Sequence, residues 1–100
     1  MAKKVELIVN DNSIVLDYYV HEFVEKIAGG IIGSLNDTGE IENLELKINS
    51  GGQVTINLNG SDVSLKEFPM KIIKSTIDGM LVHLKGVEGD INTVDIRISN

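Results

Sequence analysis

The chain has 100 residues, 42 % of them apolar, a formal net charge of −6 and no cysteine. That length and apolar fraction suit one domain with one core. The acidic balance argues against non-specific binding to nucleic acid or an anionic membrane, where Lys and Arg supply the affinity, and the missing cysteine excludes disulfides, Cys-based zinc sites and thiol catalysis.

The charge is uneven. Residues 1–50 hold four Lys and Arg against nine Asp and Glu, and residues 51–100 hold five against six. There are two Tyr, two Phe and no Trp, so base-stacking platforms are few. The start, MAKKVELIVN, runs from two lysines straight into a strand pattern, with no signal-peptide apolar region. No 18-residue apolar run could span a membrane. A cytoplasmic protein is the expectation.

In chain order, Lys4 to Asn10 reads as a strand with Val5, Leu7 and Val9 inward and Ile8 on the otherwise polar face. Asn10-Asp11-Asn12 is a turn signal, because these side chains tolerate left-handed geometry. Ser13 to Leu16 is a short second strand. Asp17 is placed to cap a helix, along which Val20, Phe23, Val24, Ile27, Ala28, Ile31 and Leu35 fall at helical spacing. Asn36-Asp37-Thr38-Gly39 ends that helix, and Ile41 to Asn49 is the third strand.

The stretch Leu44 to Leu58 reads as a hairpin. Leu44, Leu46 and Ile48 alternate with polar residues, as do Val54, Ile56 and Leu58, and Asn49-Ser50-Gly51-Gly52-Gln53 supplies the reversal. Val54 to Asn59 is the fourth strand, Gly60-Ser61-Asp62 a turn and Val63 to Leu65 a fifth strand. Pro69 suits the first turn of a second helix. That helix carries Ile72, Ile73, Thr76, Ile77, Met80, Leu81 and Leu84 as a broad stripe, with Gly86 as its C-terminal cap. Ile91 to Ser99 is the sixth strand.

The two halves, about 1–50 and 51–100, match. At a shift of 49, Val5 meets Val54, Leu7 meets Ile56, Asn10 meets Asn59 and Tyr19 meets Phe68. After a one-residue slip, Gly29 meets Gly79, Ile41 meets Ile91 and Lys47 meets Arg97. This reads as an internal duplication. The expected fold is α+β in two layers: a tandem β-β-α-β repeat forming one mostly antiparallel sheet of about six strands, with two helices on one face.

No catalytic constellation stands out. GxSxG is absent, and Ala28–Gly33, AGGIIG, has neither phosphate-loop pattern and sits late in a helix. His21 and Glu25 stand four apart on one helix face, a spacing that more often makes a surface ion pair than a metal site. His83 sits where it complements a helix C-terminus. Asp37, Glu40, Glu42, Glu88 and Asp90 cluster before the third and sixth strands but lack the calcium-loop pattern. Tyr18 and Tyr19 open the first helix and are expected half-buried at the sheet edge. No metal or cofactor is expected.

Two surfaces remain. Gly29 and Gly33, four apart on one face, read as a close helix contact, and Ile32 and Val82 extend the two apolar stripes sideways as an exposed strip. Those four residues are the expected docking surface of a non-enzymatic interaction or structural module that self-associates or binds another protein. The alternative is a small-molecule or metal-binding sensor or enzyme, with a pocket between the halves lined by Tyr18, Tyr19, His21 and His83.

Overall fold

The computed structural model describes residues 4–35, 41–87 and 89–99. The expected helix stop at Asn36–Gly39, the carboxylates Asp37, Glu40 and Glu88, and the side chain of Leu35 lie outside the described residues. Two helices accompany one six-stranded antiparallel sheet, an α+β fold. In chain order the elements are β1 (Lys4–Val9), β2 (Asn12–Ser13), α1 (Tyr18–Leu35), β3 (Asn43–Ile48), β4 (Val54–Leu58), β5 (Ser61–Val63), α2 (Glu67–Leu81) and β6 (Val94–Ser99).

The sheet order is β2-β1-β6-β3-β4-β5. The halves therefore interleave, with β6 lying between β1 and β3 and pairing with both. Exchanging β1, β2 and β3 for β4, β5 and β6 returns the same order read backwards.

Period-two alternation drives the burial. Val5, Leu7 and Val9, then Leu44, Leu46 and Ile48, and their counterparts on β4 and β6 point into one cluster. The helices add Val24, Ala28 and Ile32 from α1 and Ile73, Ile77 and Leu81 from α2, each set stepping by four along one face. Every buried member of that cluster is aliphatic.

Both hairpins turn earlier than expected. Asn10 and Asp11, and Asn59 and Gly60, all have positive φ, the pattern of a two-residue turn matching strand twist. β2 therefore begins at Asn12 and β5 at Ser61, each ending before Ile14 or Leu65. In the central loop the positive φ falls on Gly52 alone, while the Asn49 Oδ1 accepts the N–H groups of Gly51 and Gln53, both at 3.0 Å.

The last strand of each half begins later than the apolar pattern implies. The Asn59 Oδ1 accepts the N–H groups of Glu42 and Asn43 at 2.8 and 2.9 Å. The Asn10 Oδ1 does the same for Asn92 and Thr93 at 2.7 and 3.1 Å. These side chains take donors that a longer ladder would have used.

Asp17 caps α1 as expected, its Oδ1 accepting the Val20 N–H at 2.9 Å. Pro69 lies in the first turn of α2. That helix stops at Leu81, earlier than the stripe through Leu84 implies. Three-residue turns follow, with His83 bonding back to Met80, Leu84 to Leu81 and Val87 to Leu84. Gly86, at φ 90°, closes this turn region rather than the helix itself. Among the described residues, no helix is long and apolar enough to cross a membrane.

Candidate functional site

All four aromatic rings of the chain lie outside the core. Tyr18, Tyr19 and Phe23 on α1 are 79 %, 73 % and 50 % exposed, and Phe68 on α2 is 73 % exposed. Ile72 follows Phe68 by one helical turn at 49 % exposure. Aromatic side chains carry the largest apolar area of any residue, so a core built without them is a departure needing a cause.

Helical spacing places most of these groups on one flank. Tyr19, Phe23, Ile27 and Gly30 follow one another by four and three residues along α1, as Phe68, Ile72, Thr76 and Gly79 do along α2, with His83 in the turn just beyond its end. Tyr19 and Phe23 touch, their ring centroids 6.0 Å apart. Between the helices runs an open groove of about 520 Å³, lined by Tyr19, Phe23 and Ile27 from α1 and by Thr76, Gly79, Met80 and His83 on the α2 side.

The groove brings together Tyr19 and His83 from opposite halves of the chain. It does not include Tyr18, which turns away and donates its hydroxyl to the Glu22 carboxylate at 3.0 Å, or the half-buried His21. That hydrogen bond to Glu22, with the carboxylate's charge, raises the Tyr18 phenol above its usual range. Neither tyrosine is half-buried at the sheet edge as expected; both stand in solvent at the start of α1.

The strip expected at Ile32 and Val82 is not continuous. Ile32 is 2 % exposed and belongs to the core, whereas Val82 is 59 % exposed. The apolar stripe of α1 is centred on Val24, Ala28 and Ile32, so rolling Ile32 inward rolls Phe23 outward. Ile32 therefore cannot belong to a docking surface. Ile32 and Leu81, 49 residues apart, both belong to the core.

Among the described residues, Gly29 and Gly33 make no close helix contact. A Cβ built on Gly29, Gly30, Gly33 or Gly79 would meet nothing within 4 Å. Each glycine costs its helix up to about 1 kcal/mol against alanine, and no intramolecular approach explains that cost.

The face of the sheet turned away from the buried cluster is a lattice of charge. Cross-strand register sets Arg97 between Glu6 and Glu45, and Asp95 between Ile8 and Lys47. Lys4 pairs with Glu6, Lys47 with Glu45 and Arg97 with Asp95, at 3.1, 2.7 and 2.9 Å. The Lys47 ammonium holds the Glu45 carboxyl below its usual range, and the Glu45 and Asp95 carboxylates raise Lys47 and Arg97 respectively. Most of these side chains are about half exposed, with Asp95 more covered, and surface pairs of this kind contribute little stability each. They leave a polar face that neutralises itself and carries no aromatic ring.

Among the described residues, no three His, Cys, Asp or Glu side chains converge as a metal site requires. Of the carboxylates before β3 and β6, Glu42 and Asp90 are exposed. Their loop backbone serves the asparagine clamps, the Asp90 carbonyl accepting the Asn10 Nδ2 at 2.8 Å.

Comparison with protein families, with curated proteins and with solved structures finds no match to this chain.

Proposed function

We propose that this chain is a non-enzymatic interaction module that docks onto protein through the outer surface of α1 and α2. One observation carries this reading: every aromatic ring is exposed on the helices while the core is built from aliphatic residues. Large exposed apolar side chains, gathered on one flank and rimmed by polar residues, are the mark of an interaction site. The polar, self-paired face of the sheet offers nothing comparable, and β2 and β5 are edge strands of two and three residues, too short to template pairing with another sheet. The interleaved strand order and the matched asparagine clamps support an origin by duplication of a β-β-α-β unit with both helices on one side of the sheet.

Oxidative footprinting tests the docking surface. Tyr19, Phe23 and Phe68 should react readily in dilute purified protein and be protected in the lysate of the producing cells, while Tyr18, away from the groove, stays reactive in both. Equal reactivity of all four rings in both samples would sink the reading.

A second reading takes the groove as a small-molecule site. Its support is that Tyr19 and His83, from the two halves, line one apolar cleft of about 520 Å³, within the range of about 300–1,000 Å³ typical of ligand clefts. A thermal-shift screen against apolar metabolites decides it: stabilisation abolished by Gly79→Leu supports a bound ligand, and no shift with any compound ends it.

A further inference from the structure

We propose that the occupant of this surface is a second copy of the chain, docked about a twofold axis so that the exposed rings of each copy pack over the glycine-bare groove of the other. This rests on the docking reading above and names its partner.

Three observations converge on a like partner. The first is that the surface repeats itself. Tyr19 and Phe68, 49 residues apart, are each 73 % exposed, and Phe23 and Ile72, also 49 apart, are 50 % and 49 % exposed. Gly30 and Gly79 complete the series at the same spacing, both with open space beside them. A closed twofold contact uses the same patch on both subunits, with each contact made twice. A surface already repeated within one chain meets that requirement.

The second is that one surface holds both protrusion and recess. Tyr19, Phe23, Phe68 and Ile72 stand out from the helices, and Gly79 lies bare in the groove between them. An unrelated partner would have to supply the complement of both, whereas a second copy carries them already. Gly79, whose cost is unexplained inside one chain, then admits a ring of the partner against backbone.

The third is area. A Phe or Tyr side chain brings about 150–250 Å². The exposed fractions of Tyr19, Phe23 and Phe68, with Ile72, thus offer on the order of 400–500 Å², more than half of the roughly 800 Å² per partner in a stable complex. The groove floor of Ile27, Thr76 and Met80 extends it. On α2, Lys71 and Lys74 are paired with Glu67 and Asp78; on α1 the exposed Lys26 stands between Phe23 and Gly30 at helical spacing, where its long side chain can carry the ammonium to the rim of the contact and into water.

Sedimentation equilibrium of the full chain, from micromolar to submillimolar concentration, should show a dimer. Phe68→Lys, a change at an exposed position, should raise its dissociation constant about 30-fold or more, the loss expected of a central aromatic anchor. Gly79→Leu separates specific docking from mere stickiness. It adds apolar area, so non-specific association would tighten, but it fills the recess, so the proposed dimer must weaken. A wild-type chain that is monomeric throughout, or a dimer that tightens with Gly79→Leu, overturns the proposal. A photo-crosslinking residue placed at position 68 in the producing cells separates the two levels of the argument. A cross-link to a second copy supports the dimer. A cross-link to a different protein overturns the dimer and leaves the docking surface standing, and no cross-link overturns both.

Discussion

Asn10 and Asn59 make the same clamp from opposite halves of the molecule. Each has positive φ, at 50° and 51°. Each donates its N–H to a carbonyl beside the last strand of the other half, Asn10 to Thr93 at 2.9 Å and Asn59 to Asn43 at 2.7 Å. Each offers its Oδ1 to two consecutive N–H groups there. The first half thus fixes the start of β6, and the second half fixes the start of β3, which locks the interleaved sheet from both sides.

Alanine at either position should cost about 1–3 kcal/mol, because left-handed backbone penalises a plain Cβ and two donors lose their acceptor. Glycine keeps the backbone conformation and loses only the side-chain bonds, so it should cost less. Urea unfolding reads both changes. The expected order is wild type, then glycine, then alanine, with matching losses at Asn10 and Asn59. An alanine variant as stable as the parent would show that the clamps are incidental.

Ile32 and Val82 separate core from surface. Ile32→Asp would bury a carboxylate with no partner and should abolish cooperative folding, since an uncompensated buried charge costs several kcal/mol. Val82→Asp sits on an exposed turn and should change stability by no more than about 0.5 kcal/mol. Thermal denaturation followed by circular dichroism distinguishes them. Comparable melting of the two variants would mean that the roll assigned to α1 is wrong.

The strand faces were legible in the sequence because alternation leaves no second choice: slipping Leu44, Leu46 and Ile48 by one residue would put all three in water. The helices were less legible. An apolar stripe as wide as Val20-Phe23-Val24-Ile27-Ala28-Ile31 fits two rolls differing by one residue position, and periodicity cannot choose between Phe23 and Ile32 as the buried edge. The pairing that decides it, Ile32 with Leu81 and Phe23 with Ile72, lies in the chain at a shift of 49. Extending that shift through the helices would have placed the four exposed aromatic and aliphatic groups together. The strand starts were hidden for another reason. Ile41 and Ile91 continue the apolar pattern, but side chains far away in sequence, Asn59 and Asn10, claim the backbone donors just beyond them.

Gly30 and Gly79 should respond to alanine with opposite signs at two levels. Their helical backbone tolerates a Cβ, and nothing lies within 4 Å of it. Each substitution should therefore stabilise the isolated chain by about 0.5–1 kcal/mol through helix propensity and reduced unfolded-state entropy. The same methyl should weaken self-association if a partner's ring lies over the backbone there. Denaturation at low concentration and sedimentation at high concentration measure the two effects separately. Stabilisation at both levels would leave the glycines without a docking role.

The charge lattice on the sheet makes a ranked prediction about Glu45. Its carboxyl is held low first by the hydrogen bond from Lys47, at 2.7 Å, and less by the field of Arg97. A carboxyl whose folded value is depressed adds stability above its unfolded value, and that contribution is lost as pH falls through the folded one. For Glu45 the window opens just below the ordinary value of about 4.3. Carbon-detected NMR titration should show the Glu45 midpoint rising in Lys47→Met and rising less in Arg97→Gln. Added salt should raise it in the parent, because both partners are half exposed and the pair is screened. The reverse ranking would make Arg97, placed between Glu6 and Glu45 by strand register, the group that organises this face. A midpoint indifferent to both substitutions would mean that the pairs along the sheet are free of one another in solution.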